Sequence, residues 1–406
     1  MRIAIVVTKL FGGGLETVLK YLADELILLG HKVSFIEDLG AGKWSQYYRG
    51  LGYEVISIDS SPWRSRVSQA RAVQSKIGAY DLLLLNEALM AQSALGFLPP
   101  ETLAIPVVHL HHPGFYHNAA ANFDQVDCIS TVSKPLEQAI TQRYPYLSGY
   151  TVTINNGVQV AESWPKQNSS FQGGTPLKVI ILSRIEKIQK GVLHLPPILE
   201  PLWKKGLNIT LEIVGDGPDL PELKQRFALY PPSQEKITYH GFVEHDEALT
   251  ILAQSDVLIM PSYFEGMPIA LLEAMGRGVV PIVSKLPGMT TPIVEDGKNG
   301  FLPPPVDESL FSQALLTLYT DRAQLRTLSE AAWQTVQTQF SSKLMAENYL
   351  NLFTQAQGAR ASGKRIITRS HKLDYATLGE FPLLPPLLGR ILRKARTILK
   401  RLFNKA

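Results

Sequence analysis

The chain of 406 residues has little cysteine and no long apolar runs. Its one cysteine, Cys128, excludes a disulfide within the chain, and a reducing compartment is the simpler expectation. No stretch reaches the roughly 18 uncharged apolar residues of a membrane-spanning helix. The short apolar run before Thr8 is also below the length of a signal-peptide core. These absences predict a cytoplasmic protein.

Acidic residues are scarce near the C-terminus. Residues 358–406 contain 12 Lys or Arg and 2 Asp or Glu, although the net charge of the whole chain is only +4. Apolar residues recur at helical spacing between Leu387 and Phe403. We therefore expect a basic amphipathic helix over 386–406 that lies on an anionic membrane, at the inner membrane face. A helix packed on the protein body is an alternative, and binding to nucleic acid is disfavoured by the lack of interleaved aromatic residues.

Buried strands alternate with helical stretches along the rest of the chain. This order predicts α/β domains with parallel sheets that are covered by helices on both faces. A stretch rich in Asn, Gln, Ser, Gly and Pro over 155–176 separates two such series. We predict a Rossmann-like domain over 1–160, a second one over 161–357 across a cleft from it, and the basic tail over 358–406. The expected strands are Ile3–Val7, Val33–Ile36, Val55–Ile58, Leu82–Leu85, Val107–Leu110, Cys128–Val132, Thr151–Ile154, Val179–Leu182, Thr210–Val214, Ile237–Tyr239, Val257–Met260 and Val279–Val283.

The stretch from Ser255 to Pro281 reads as a strand, a loop and a helix. Pro268 is expected near the first position of the helix, where its missing N–H costs little. The free N–H groups of the neighbouring residues and the helix dipole predict an anion site at Gly266, Met267, Pro268 and Ile269. Two carboxylates, Glu265 and Glu273, flank this site. Eight helical residues rise roughly 12 Å, more than the roughly 5–9.5 Å between the two carboxylates of a glycosidase. The pair is therefore not expected to hydrolyse one bond.

Polar residues follow other strands of the second series. The cations Arg184 and Lys190 come after the first strand, where they fit a diphosphate or a solvated turn. Gly215 ends a strand in a tight turn that also fits a plain connection. Gly241 and Phe242 end another strand, where a nucleobase could stack. These residues are expected at one edge of one sheet.

The first series carries two further patterns. Glycines at 12–14 lie between a strand and a helix. They fit a tight turn, a substrate-facing loop or a dinucleotide-binding fingerprint, in which Glu37 or Asp38 would bind a ribose. The fingerprint spacing fails because position 17 is threonine. Histidines at 109, 111, 112 and 117 lack the companions of a metal site. We favour His111, and His109 second, as contacts of a polar substrate.

In their order and spacing these segments resemble the retaining glycosyltransferases of family 4, which have the GT-B fold. The resemblance covers about residues 1–357. It rests on GGGLETVL (12–19), HLHHPG (109–114), VSKPL (132–136), NNGV (155–158), SRIEKIQKG (183–191), IVGDGP (213–218), HGFV (240–243), PSYFEGMPIALLEAMGRGVVPIVS (261–284) and EDGKNGFL (295–302).

The resemblance implies roles for single residues. Arg184 and Lys190 would bind the donor diphosphate, Glu273 the ribose and Glu265 the donor sugar. Gly13 and Gly14 would approach the phosphates, and His111 would lie near the reacting carbon. The expected catalytic residues are Glu265, His111, Arg184 and Lys190, and the remaining donor-binding residues are Gly13, Gly14, Gly215, Gly241, Phe242, Gly266, Met267, Pro268, Ile269 and Glu273. The chain departs from the family pattern over Lys285–Pro292.

The expected activity is transfer of a sugar, with retention, from a nucleotide diphosphate sugar to a hydroxyl. A lipid-linked saccharide, polysaccharide precursor or glycolipid is the expected acceptor. We expect no cofactor and, because the sequence contains no Asp-x-Asp motif, no metal. Two alternatives stay open: a non-catalytic GT-B-like membrane scaffold and a nucleotide-sugar epimerase. The sequence leaves the sugar, the base and the acceptor open.

Overall fold

The computed structural model describes residues 1–167 and 174–374, together with residues 378, 383 and 386. It divides into two compact units, one formed by residues 1–155 and the chain from Ala346 onward, the other by residues 156–345. The predicted domain boundaries, at 160 and 357, differ from this division because the chain rejoins the first unit within its last long helix. The predicted membrane-binding residues 387–406 lie outside the described residues.

The first unit is built on a seven-stranded parallel sheet with the strand order β3-β2-β1-β4-β5-β6-β7. Its central strands are buried on both faces, which explains their unbroken apolar sequences. The order reverses between β1 and β4, the place where such sheets bind ligands. The strands are β1 Arg2–Val7, β2 Lys32–Glu37, β3 Glu54–Ser57, β4 Leu82–Asn86, β5 Leu103–Val108, β6 Ile129–Thr131 and β7 Thr151–Thr153. The helices are α1 Gly14–Leu28, α2 Ser45–Gly50, α3 Arg66–Ile77, α4 Leu89–Ser93, α5 Pro113–Ala120 and α6 Lys134–Arg143.

The second unit is built on a five-stranded parallel sheet with the order β10-β9-β8-β11-β12. Here the order reverses between β8 and β11. The strands are β8 Leu177–Leu182, β9 Ile209–Val214, β10 Ile237–Gly241, β11 Val257–Met260 and β12 Val280–Val283. The helices are α7 Lys187–Lys190, α8 Leu195–Lys204, α9 Leu220–Ala228, α10 His245–Gln254, α11 Ile269–Met275, α12 Glu308–Thr320 and α13 Arg322–Gln339, and α14 Ser342–Ala361 leads back to the first unit.

One predicted strand is displaced. The sequence predicts a strand over 107–110, whereas β5 runs from Leu103 to Val108. Pro106 lies inside it, and a proline within a strand normally argues against a strand because it lacks the N–H group. Burial of all six residues stabilises the strand despite the missing donor. His109 is therefore the first residue after β5.

Part of the basic C-terminal segment packs on the first unit. The guanidinium of Arg360 bonds the fully buried carboxylate of Asp127, with 2.8 Å between Nη2 and Oδ2. Arg365 donates to the carbonyl of Val126 at 2.6 Å, and Arg369 to that of Gln125 at 2.7 Å. Three of the twelve basic residues assigned to the tail are thus structural. Among the described helices, none combines the length and the apolarity needed to cross a membrane.

Candidate active site

The loops that follow β8, β9 and β10 are joined into one edge of the second sheet. Ser183 N–H donates to the carbonyl of Val214 at 3.1 Å, and Gly215 N–H donates to that of Gly241 at 2.8 Å. Gly215 has φ +130°, and a Cβ there would lie 1.9 Å from the carbonyl oxygen of Ser183. Only glycine fits this close approach. The predicted residues Gly215 and Gly241 therefore meet at the carboxyl edge.

A buried ion pair crosses this edge. Lys190 Nζ lies 2.8 Å from both carboxylate oxygens of Glu265, and the Ser262 hydroxyl donates to the same carboxylate at 2.7 Å. The two charged side chains are only 19% and 5% exposed. Gly191 makes the contact possible, because a Cβ there would lie 2.1 Å from the Pro261 carbonyl. Two residues predicted for separate parts of a donor are in direct contact.

Arg184 differs from the other cations of its loop. Lys187 is paired with Asp219 and Glu222 at 3.3 and 2.9 Å. The side chain of Arg184 is exposed, and within the described part of the chain it has no hydrogen-bond or ion-pair partner. Arg184 is thus placed at the end of β8 as a cation available to an anion.

Helix α11 holds the second carboxylate. Pro268 is the N-cap residue of this helix, next to the first position near which it was expected, and the helix runs over seven residues. Glu273 Oε1 lies 2.7 Å from His245 Nε2, and both side chains are largely buried, at 5% and 12% exposure. His245 was missed by the sequence analysis, since nothing in the pattern connects the start of α10 with α11. Phe242, on the loop before α10, is 67% exposed.

The glycine loop of the first unit is a constrained turn. Gly12 has φ +93°, and a Cβ there would lie 2.5 Å from the ring of Trp44. Gly13 caps α1 and Gly14 begins it. The Glu16 carboxylate accepts from the backbone N–H of Phe11 at 3.1 Å. The roles expected of Gly13 and Gly14 remain predictions.

The dinucleotide alternative for this loop is wrong. The carboxylate of Glu37 is fully buried and accepts from the N–H groups of Leu10 and Gly42, at 2.9 and 2.7 Å, and from serine hydroxyls. Asp38 is also fully buried and accepts from Met90 N–H at 2.9 Å. Both carboxylates thus serve the fold of the unit instead of a ribose.

The four clustered histidines have different surroundings. His109 Nε2 lies 2.8 Å from Asn86 Oδ1, and burial lowers the pKa of His109 to about 4, so that the ring is neutral near pH 7. His112 caps α5 by accepting from Gly114 N–H at 3.1 Å. His111 is exposed, with its ring edge-on to Tyr116. Within the described residues no three His, Cys, Asp or Glu side chains are grouped to hold a metal ion.

Glu87 is a second residue that the sequence analysis missed. It follows β4 and has φ +58°, a left-handed conformation that is rare for glutamate. Burial, and then the nearby charge of Glu16, raise the pKa of Glu87 to about 7. No motif of the sequence marks this residue.

Comparison with known protein families gives a separate match for each of the two units. The model of the Glycosyltransferase Family 4 domain matches residues 12–162, and that of the Glycosyl transferases group 1 domain matches residues 176–321. Glycogen synthase of Mycobacterium tuberculosis is 25% identical over 253 residues, which are 61% of this chain and 59% of that protein, less than two thirds of its length. Spore coat protein SA of Bacillus subtilis is 22% identical over 384 residues, 87% of this chain and 99% of that one.

Solved structures show the same fold. The Anabaena protein Alr3699/HepE, determined in complex with UDP and glucose, superimposes with a TM-score of 0.70 at 18% identity. The match covers 87% of this chain and 100% of that one. Because two consecutive family models together match residues 12–162 and 176–321, the greater part of both units, the chain belongs to the group 1 and family 4 glycosyltransferases and has their GT-B fold.

Proposed function

We propose that this protein transfers a sugar from a nucleotide diphosphate sugar to a hydroxyl group of an acceptor, with retention at the anomeric carbon. One observation carries the proposal. At the carboxyl edge of the second sheet lie the Lys190–Glu265 and His245–Glu273 pairs and Arg184, a cation whose side chain has no partner among the described residues. Cations and buried carboxylates at the carboxyl ends of parallel strands suit a ligand with phosphate and hydroxyl groups.

Each group has a proposed task. Arg184 and Lys190 would hold the diphosphate, and Glu273 would accept hydrogen bonds from the ribose. Glu265 would meet the donor sugar beside Gly266 and Met267. Cleavage of the sugar–phosphate bond builds negative charge on the leaving diphosphate, and cations placed beside the diphosphate stabilise that charge. The leaving phosphate would itself take the proton of the acceptor hydroxyl.

The donor base and the metal requirement are parts of the same proposal. The solved complex of Alr3699/HepE contains UDP and glucose, which makes uridine diphosphate sugars the first donors to test. Since no Asp-x-Asp motif is present in the sequence, we propose that transfer proceeds without a divalent metal. A strict requirement for such a metal would contradict this part.

The experiment is a donor screen with matched variants. Purified protein is incubated with uridine, guanosine and adenosine diphosphate sugars and with saccharide acceptors. Arg184→Ala and Lys190→Ala are expected to lower kcat/KM roughly 100- to 1,000-fold, the typical effect of removing one group that stabilises transition-state charge. Lys187→Ala is the control, because Lys187 lies on the same short helix as Lys190 but is exposed and already paired with Asp219 and Glu222. It should retain activity within about twofold, as expected for a surface ion pair.

Two outcomes would contradict the proposal. Near-native turnover of Arg184→Ala would remove the diphosphate assignment. Donor conversion without any acceptor-dependent product would instead indicate an epimerase, and nucleotide binding without turnover would indicate a scaffold.

A lipid-linked acceptor and a membrane location are proposed from the basic tail. Residues 386–406 would bind anionic lipid at the inner membrane face. Deleting 386–406 leaves Arg360, Arg365 and Arg369 in the chain, so their hydrogen bonds to the first unit can still form. The truncated protein should lose co-sedimentation with phosphatidylglycerol vesicles and behave as wild type with phosphatidylcholine vesicles. Equal co-sedimentation of both proteins with anionic vesicles would contradict the proposal.

A further inference from the structure

Glu87 occupies the switch point of the first sheet. The strand order reverses between β1 and β4, and Glu87 is the first residue after β4. The two strands pair up to Val7 and Asn86. Beyond that pair, the hydroxyl of Thr8 donates to the carbonyl of Glu87 at 3.0 Å. In open parallel sheets, ligands bind outside the carboxyl ends of the strands at such a point.

The backbone of Glu87 is held in an unfavourable conformation. A left-handed φ of +58° costs a residue with a side chain on the order of 1–2 kcal/mol. The turn is fixed on one side by Thr8 and on the other by Asp38, whose carboxylate accepts from Met90 N–H. Strain of this kind is concentrated at functional sites. Glycine or asparagine would relieve it, yet the chain has glutamate.

The carboxylate of Glu87 is also unsatisfied. Its Oε1 atom is buried without a hydrogen-bond partner, and within the described residues the side chain forms no ion pair. Lys9 lies two residues beyond β1, and in the same part of the chain it is not paired with Glu87. A buried acceptor without a partner is destabilising, typically by about 1–3 kcal/mol. Glu87 therefore destabilises the folded protein in two ways: its backbone is strained, and one buried carboxylate oxygen lacks a hydrogen-bond partner.

We propose that Glu87 is an acceptor-binding residue, which accepts a hydrogen bond from a hydroxyl of the saccharide that receives the sugar. This inference rests on the proposed function. Among the described residues no cation pairs with the carboxyl group of Glu87, and such a group favours a hydroxyl over a phosphate or carboxylate at this point. The acceptor is therefore neutral where it meets Glu87, even if it carries a phosphate elsewhere.

The test uses variants that separate binding from stability. Glu87→Gly relieves the left-handed backbone, and Glu87→Gln keeps the shape but removes the charge. Asn122→Gly is the control, since Asn122 is another left-handed residue of the same unit, with φ +56°. Octyl glycosides of glucose, galactose, mannose and N-acetylglucosamine serve as acceptors, each below its micelle concentration.

We expect Glu87→Gly to be at least as thermally stable as wild type. At pH 8, where Glu87 with its pKa of about 7 is mostly ionised, both Glu87 variants should lower kcat/KM for the acceptor about ten- to a hundredfold, as expected for the loss of a hydrogen bond to a charged group. Their affinity for the nucleotide, measured by calorimetry, should be unchanged. Asn122→Gly should change neither the affinity nor the acceptor kinetics.

Every outcome decides the inference. If wild type transfers sugar and the Glu87 variants do so equally well, the inference is wrong and the proposed function stands. If wild type transfers to none of the glycosides, saturation-transfer NMR with the same glycosides gives the answer. Binding that is lost in Glu87→Gln would still support the inference, and binding that is absent or unchanged would overturn it.

Discussion

The two sheets differ in how they satisfy the carboxylates at their strand ends. In the second unit, Glu265 bonds Lys190 and Glu273 bonds His245. In the first unit, Glu37 accepts from backbone N–H groups and serine hydroxyls. One oxygen of Asp38 accepts from the N–H groups of Met90 and Ala91, and its other oxygen is buried without a partner among the described residues. The carboxylates of the second sheet thus have lysine and histidine partners, whereas those of the first have backbone N–H groups and serine hydroxyls.

This difference separates residues that can change partners from residues that cannot. A lysine on its flexible stem can turn from a carboxylate to a phosphate when a ligand arrives. A backbone N–H at the start of a helix cannot move without unfolding the turn. We conclude that the paired carboxylates of the second unit suit ligand binding, and that Glu37 and Asp38 stabilise the first unit.

Among these carboxylate contacts, loss of His245 is expected to have the largest effect on nucleotide binding. Its ring holds Glu273 at 2.7 Å, so His245→Ala leaves a buried carboxylate misaligned. Loss of a hydrogen bond to a charged group typically costs about 1.5–3 kcal/mol, and we expect roughly tenfold weaker binding of uridine diphosphate. Calorimetric titration measures this effect.

His245→Gln tests the geometry of the same contact. Glutamine offers an N–H group near the position of the imidazole Nε2 and should recover part of the affinity. Replacing the ribose with 2′-deoxyribose should weaken binding to wild type more than binding to His245→Ala, because the variant no longer positions Glu273. Equal sensitivity of both proteins to the sugar change would show that His245 supports only the fold.

The strands were largely predictable because parallel sheets bury both faces. Leu82–Leu85 and Val257–Met260 are continuous apolar runs, and the structure has strands at both places. The start of β5 was not predictable from local sequence. Pro106 interrupts the donor pattern there, and only burial between β4 and β6 keeps the strand intact.

The site was predictable as a set of residues but not as a set of contacts. Arg184, Lys190, Glu265 and Glu273 come from motifs, but the distance between Lys190 and Glu265 depends on the close approach of Gly191 to the loop after β11. Such contacts span 75 residues and leave no local signal. Glu87 could not be predicted for another reason: glutamate has no preference for a left-handed backbone, so the sequence does not mark the turn.

The pH dependence of the free energy of unfolding tests how well the first unit stabilises the buried carboxylate of Asp38. Burial raises the pKa of Asp38 from 3.8 to about 7, because its hydrogen bonds from Met90 and Ala91 do not offset the loss of water. Between these values the folded protein binds more protons than the unfolded chain. The free energy of unfolding therefore decreases as the pH rises from about 4 to 7.

Two other buried groups titrate over a similar range. The pKa of His109 is lowered from 6.5 to about 4, so its contribution to the free energy of unfolding increases with pH. Glu87, with a pKa of about 7, adds to the trend of Asp38. The profile of the wild type alone therefore mixes these three groups.

The difference between wild type and Asp38→Asn isolates the contribution of Asp38, because asparagine still accepts from Met90 N–H but does not titrate. Urea unfolding from pH 4 to 8 should show a flatter decline for the variant, with a difference on the order of 1–4 kcal/mol between the ends of the range. If the stability of wild type and of Asp38→Asn changed equally with pH, Asp38 would already be ionised at low pH. Backbone N–H groups in the first unit would then stabilise a buried carboxylate as well as Lys190 and His245 do in the second unit.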